Sequence, residues 1–490
     1  EMKILVIQIS GAHELLLTWP VIRGLKRQNP RAQIDVMIPS EFSAAAEGFM
    51  ASRELILLER DTFLQPLRAG FDLFEAELRL ERFLQGIRAR GYDRIINLSF
   101  TPASSYMTFL LTSSETLVHG YTRTGDGYLA IPDDMSAYVH AQCGPKGQNR
   151  VHLTDLFAAV SETEIQGRDW QCESMKGVIT PPSRFVCINL RSNRFTEKLE
   201  VHKWQNVILR LHQVWNGEIA ILGSAADQDT ADKLVSQFAD SRIHNFTDKL
   251  SLGQLAQILA QSELMITAED ILVGLATFTG TKSLYLCGRA ENVWELGPRA
   301  EGSRVLQADK VGEIASDTIV SEAISMLHGQ GPMHASYNAI NSIPSFTKNH
   351  DENSARFTWD LIEAIYRKQA WPEVVNDLQY RAFVEMVPLN EMILEQLEQL
   401  KGREENSVVG NVLSCADEIF KTISEITPTL GPLYRWFLTE KIRIGPATFE
   451  DLIVGHIRIH DMMKQVLKYY TGLPAVGKNR DADVKESYAY

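Results

Sequence analysis

Apolar residues run almost without a break through Lys3-Ile4-Leu5-Val6-Ile7-Gln8-Ile9, a stretch of strand length. A run of this kind suits a strand buried on both faces, as in a parallel sheet. The small residues Ser10-Gly11-Ala12-His13 interrupt it, and from Glu14 onward Leu17, Val21 and Leu25 recur at helical spacing. Arg23, Lys26 and Arg27 mark the end of that helix. The alternation continues. Gln33–Ile38, Glu54–Leu58, Tyr92–Leu98 and Thr116–Gly120 read as strands. A small-residue helix from Phe42, Phe74–Arg90, Ser104–Leu111 and Val151–Val160 read as helices, and Gly125–Gly147 as an irregular connection. Strands alternating with helices predict a doubly wound parallel sheet with right-handed crossovers.

The same rhythm restarts after Pro181-Pro182. Strands are expected at Arg184–Leu190, Glu218–Leu222, Glu263–Thr267 and Lys282–Cys287. Helices are expected at Lys203–Val214, Ala225–Phe238, Leu252–Ala260, Leu272–Phe278 and Val311–Leu327. From about Pro332 strand candidates vanish, and Phe357–Lys368, Glu373–Val387, Leu389–Lys401, Val408–Thr427 and Glu450–Tyr470 read as helical. Pro388 is expected to separate or kink the second and third of these. The predicted organisation is an α/β domain over 1–165, a second over 180–330, an all-helical region over 331–470 and a polar tail over 471–490. Two doubly wound domains in tandem place a ligand cleft between them.

Composition narrows the classes. Hydrophobic and charged contents of 44% and 23% are those of an ordinary globular protein. A net charge of −13 leaves no basic surplus to neutralise phosphates, so a general nucleic-acid binder is not expected. No apolar run approaches a membrane span. Five scattered cysteines without metal-ligand spacing read as free thiols in a reducing compartment. With no leader ahead of the first strand, the expectation is a cytoplasmic protein with no metal site and no cofactor.

The chemistry is expected at the carboxyl ends of the strands, where open α/β sheets bind ligands. Glu14 lies there, just after the first strand and near a helix N-terminus. It is a candidate general base, or simply a carboxylate that complements the helix dipole.

Several segments together resemble the heptosyltransferase family of GT-B glycosyltransferases. They are Ser10-Gly11-Ala12-His13-Glu14-Leu15-Leu16-Leu17-Thr18-Trp19-Pro20, Tyr92–Leu98, Leu117-Val118-His119-Gly120-Tyr121, Lys203-Trp204 and Ile221-Leu222-Gly223. The resemblance covers roughly Lys3–Leu327. It implies a GT-B fold and metal-independent, inverting transfer of a sugar from a nucleotide-diphosphate donor, with the acceptor on the first domain and the donor on the second. It assigns the general base to Glu14, where the family has aspartate. It also implies a donor-phosphate contact at Lys198, shared with Arg191, Ser192 and Arg194 of the same loop, and a nucleotide contact at Ser224 and Asp227.

The family's donor loop, N-D-T-G-P-M-H, aligns without gaps to Ala268-Glu269-Asp270-Ile271-Leu272-Val273-Gly274. Its glycine is replaced by Ile271 and its histidine by Gly274. Glu269 and Asp270 would face the donor, or cap the following helix. A literal Gly331-Pro332-Met333-His334 downstream follows a helix rather than a strand and is read as coincidence.

Two functions follow from these residues. One is a hexosyl- or heptosyl-type transferase acting on a bacterial surface glycan or protein acceptor. The other is a catalytically inactive GT-B scaffold that works through its helical C-terminus. Leu389, Ile393, Leu397 and Leu400 have the spacing of a helix–helix seam, within the chain or between chains, so self-association or a protein partner is expected there.

Overall fold

A computed structural model gives the fold. It describes residues 1–46, 52–144, 147–170, 183–192, 199–238, 242–288, 292–333, 352–402 and 407–472. Of the sequence-based expectations, Arg194, Lys198, His334, the Pro181-Pro182 pair and nearly all of the tail lie outside the described residues, as does the side chain of Ser192.

The first half begins β1 (Lys3–Ile7), α1 (Ala12–Gln28), β2 (Gln33–Pro39), β3 (Glu54–Leu58), α2 (Arg60–Gly70), α3 (Leu73–Arg88), β4 (Arg94–Asn97), α4 (Pro102–Leu111), β5 (Leu117–His119). The five strands form one parallel sheet in the order β3-β2-β1-β4-β5. Short strands β6 (Thr122–Arg123) and β7 (Leu129–Ala130) lead to α5 (Asp134–Gln142) and α6 (Leu153–Val160). The stretch expected to be an irregular connection thus contains α5. Its start is set by Asp133, whose carboxylate accepts from the Ser136 N–H.

The second sheet alternates β8 (Phe185–Ser192), α7 (Val201–Val214), β9 (Glu218–Leu222), α8 (Gln228–Ser236), β10 (Ile243–Asn245), α9 (Leu252–Gln261), β11 (Leu264–Ala268), α10 (Asp270–Thr279), β12 (Ser283–Gly288), α11 (Val293–Leu296), β13 (Arg304–Ala308) and α12 (Ser316–Leu327). Its order is β10-β9-β8-β11-β12-β13, again parallel. Val186, Ile188, Ile219, Ile221, Leu264 and Ile266 are fully buried on one face, and Tyr285, Cys287 and Val305 are buried with Val273 of α10 on the other, as continuous apolar strands require. α1 is buried from His13 to Leu25 on nearly every side. α6 and α10 as well as the sheet pack on it, which is why its sequence is apolar all round rather than striped.

The described residues fall into two compact units, the first carrying both sheets. The second carries 124–130, 140–142 and the helices α13 (Glu352–Arg367), α14 (Asp377–Leu400), α15 (Ser407–Ile426), α16 (Gly431–Ile444) and α17 (Phe449–Thr471). Pro388 neither breaks nor separates: α14 runs through it as one helix. Phe383 and Met386 before the proline and Ile393 and Leu397 after it are buried in a single core. That shared burial outweighs the one lost backbone hydrogen bond. The Leu389, Ile393, Leu397 and Leu400 seam belongs to this core, against α17, and is therefore a seam within the chain. α16 is not among the expected helices; Pro432 stands in its first turn, where no N–H is needed.

Candidate functional site

Each sheet has a switch point, between β1 and β4 in the first and between β8 and β11 in the second. Crevices at such points hold ligands in open α/β sheets. In the first, the loop after β1 is tied to the loop after β4. The Ile9 N–H donates to Ser99 Oγ at 2.7 Å, Ser10 Oγ to the Ser99 carbonyl at 2.9 Å, and Gln8 Nε2 to the Leu98 carbonyl at 3.2 Å. These bonds fix the turn that starts α1 two residues before the expected position, at Ala12. Glu14 is then a first-turn residue, and a Cβ placed on Gly11 would stand 2.5 Å from Glu14 Oε2. The carboxylate folds back over the turn, and a side chain at 11 would make it shift.

At the second switch point Asn189, buried near the end of β8, points Nδ2 at Thr267 Oγ1, Glu269 Oε2 and the Arg191 carbonyl, each at 3.1 Å. The β8–β11 register slips between Ile266 and Ala268, which lifts the end of β11 into α10. Glu269 is the residue that caps α10, yet its side chain makes no cap bond. Its Oε1 lies 3.2 Å from Arg191 Nε. Burial pushes Glu269 up to about 6, against the pull of Arg191 and Asn189. Burial also opposes the charge on Asp270. His13 and the first amides of α10 outweigh it and hold that carboxyl below its ordinary value.

The two switch points meet through a residue that sequence reasoning missed. His13, in the first turn of α1, is buried, and its Nδ1 lies 3.5 Å from Asp270 Oδ2. The contact is an ion pair when the ring carries its second proton. Burial is the largest single influence on His13 and disfavours its charge. Asp270, Glu14 and Glu269 together overcome it and raise the imidazole above its ordinary value. Gly274 makes this possible, since a Cβ there would meet His13 Cδ2 and Nε2 at 3.1 Å.

The remaining expected residues are placed as follows. Ser224 and Asp227 pair with each other: the Ser224 N–H and Oγ both donate to Asp227 Oδ2, at 2.9 and 2.7 Å. Arg191 reaches the site and is engaged by Glu269. Among the described residues no group of three His, Cys, Asp or Glu side chains is set to hold a metal ion. No described helix is long and apolar enough to cross a membrane. The signal for Asn189 was available: a polar residue ending a buried apolar strand at a sheet's ligand edge. His13 carried no such signal, because its partner Asp270 is remote in sequence.

No protein-family profile matches the chain, and no curated protein matches it in sequence. Solved structures do match in fold. The chain is similar to E. coli ADP-heptose lipopolysaccharide heptosyltransferase II at 15% identity and a TM-score of 0.50, over 67% of this chain and 99% of that one. It is similar to a family 9 glycosyl transferase from Veillonella parvula at 16% identity and a TM-score of 0.52, over 67% and 98%. A third match is the E. coli heptosyltransferase WaaC with ADP, at 14% identity and a TM-score of 0.50, over 66% and 100%. The chain therefore has the α/β GT-B fold of the heptosyltransferases, two doubly wound sheets in tandem, with a helical region added at its C-terminal end.

Proposed function

We propose that the protein is a glycosyltransferase that moves a hexosyl- or heptosyl-type sugar from a nucleotide-diphosphate donor to a bacterial surface glycan or protein acceptor, in the cytoplasm, with inversion and without a metal. The observation that carries this reading is the meeting of the two switch points. Glu14 on one sheet and Glu269 and Asp270 on the other are brought to a common place by the His13–Asp270 contact. Carboxylates converging there suit a ligand rich in hydroxyls, and the domain over 1–165 would present the acceptor to a donor held by the domain over 180–330.

In this reading Glu14 accepts the proton of the acceptor hydroxyl as its oxygen bonds to the anomeric carbon. The bond from that carbon to the diphosphate breaks, and the departing oxygen keeps the electron pair. Arg191, with Ser192, Arg194 and Lys198 of the same loop, neutralises the developing charge. Ser224 and Asp227 stand toward the nucleotide, and Glu269 and Asp270 toward the sugar. The test is release of nucleoside diphosphate from a panel of nucleotide sugars by the full chain and by Glu14→Gln. Turnover that the variant loses supports the reading, and turnover equal in both removes Glu14 from the chemistry.

A second reading, a non-catalytic GT-B scaffold that binds a partner through its helical region, is favoured by one observation. The His13 ring fills the space beside Gly274 at the start of α10, where carboxylates outnumber cations among the described residues. Absence of release from every donor tested, by a folded protein, supports this second reading.

A further inference from the structure

The ring of His13, in the first turn of α1, packs into α10, the helix that follows the second sheet's ligand edge. It sits in a notch that exists because residue 274 has no side chain, its Cδ2 and Nε2 at 3.1 Å from where a Cβ would be. Its Nδ1 is 3.5 Å from Asp270 Oδ2. The charged groups around it are settled element by element. On α1 itself Glu14 is the neighbouring carboxylate, and on α10 Glu269 and Asp270 face the ring. At the N-cap of α6 the neighbour is His152, which burial and then Arg299 keep neutral. Beside the far end of α1, Asp169 is committed to Arg27 at 3.0 Å, and Glu41 to Arg60. The field at His13 is therefore set by three carboxylates, while Arg191 is engaged by Glu269 and Arg299 by Asp155 of α6.

We propose that His13 is the positioning residue of this two-sheet site: its imidazolium, seated in the Gly274 notch, ties α1 to Asp270 at the start of α10 and so sets the spacing of Glu14 from Glu269 and Asp270. The tie needs the proton. A neutral ring keeps its packing in the notch but loses the ion pair, so the hold weakens as pH rises through the titration of His13. This role is independent of sugar transfer, and a scaffold would have it equally.

Two measurements on the full chain test it. The first follows imidazole nitrogen resonances against pH in histidine-labelled protein, with His13 assigned by its loss in His13→Gln. In the wild type His13 should titrate above the ordinary range. In Asp270→Asn, burial should win and His13 should titrate below it. An identical titration in both proteins overturns the proposal. The second reads melting temperatures for Gly274→Ala in two backgrounds. With His13 present, the added methyl should lower the melting temperature by pushing the ring out of its notch. In His13→Ala the same substitution should raise it, because alanine favours the helix and now has room. A change of the same sign and size in both backgrounds overturns the proposal, since the notch and the ring would then be uncoupled.

Discussion

Acid should unfold the helical unit through two histidines that its core keeps neutral. His456 and His460 lie one turn apart on α17 and are both buried. His460 Nδ1 donates to Asn390 Oδ1 at 2.7 Å, and its Nε2 has no hydrogen-bond partner among the described residues. Phe437 and Phe420 flank the ring at 5.3 and 6.2 Å. Burial first, and then Lys441, lower His456 to about 4; burial, His456 and Lys441 lower His460 to about 3. The unfolded chain takes up these protons near the ordinary value of about 6.5. Their folded values lie below that, so the neutral pair destabilises the fold progressively as pH falls from about 6.5 towards 3. At about 1.4 kcal/mol per pH unit, each ring has cost about 2.5 kcal/mol by pH 4.5, and the two about 5 kcal/mol. That is comparable to the whole stability of a small domain.

The assay is urea unfolding at pH 7 and 4.5, read by hydrogen exchange in peptides from α14 and α17, for the wild type and His456→Leu. The variant has one proton fewer to gain on unfolding. Its stability relative to wild type should therefore improve by about 2.5 kcal/mol between the two pH values. Parallel pH dependence in the two proteins would refute the argument, because it would mean that His456 is already charged or already exposed in the fold.

Three other outcomes are expected. Gly120→Ala should cost roughly 3 kcal/mol or more, since φ is +88° and a Cβ would lie 2.0 Å from the Asn97 carbonyl oxygen; a melting temperature within a degree of wild type would contradict this. Glu14→Gln should keep the fold and donor affinity and lower turnover by about 10²–10⁴-fold, the usual worth of a general base, as steady-state rates would show. Lys198→Ala should weaken nucleoside diphosphate binding, and more so at low salt, where attraction is least screened. Equal affinity across a salt titration would exclude that contact.

How much of this was legible in the sequence follows from where each interaction is encoded. The Lys3–Ile7 strand, the Arg184–Leu190 run and their sheets announce themselves because a strand buried on both faces admits few polar residues. Glu14 could be singled out because it follows a buried strand at the edge where ligands bind, and Glu269 and Asp270 because they align with the donor loop of the family the chain resembles. Pro388 misled, since local chemistry disfavours a helix there and only the shared core of Phe383 and Leu397 keeps it whole. His13 escaped for the opposite reason. An imidazole in a short turn between strand and helix carries no chemistry of its own, and its meaning comes from Asp270 and from the missing side chain at Gly274, neither of which is near it in sequence.

The central claim, a nucleotide-sugar site where the two sheets' switch points meet, is tested most directly by calorimetric titration of the full chain with ADP, UDP and GDP and with their sugar conjugates. The account predicts saturable binding of one nucleoside diphosphate per chain, competed by its own sugar conjugate and weakened in Arg191→Ala. No heat with any of these ligands up to millimolar concentration, from protein shown to be folded, would contradict it and leave the GT-B fold here as a scaffold.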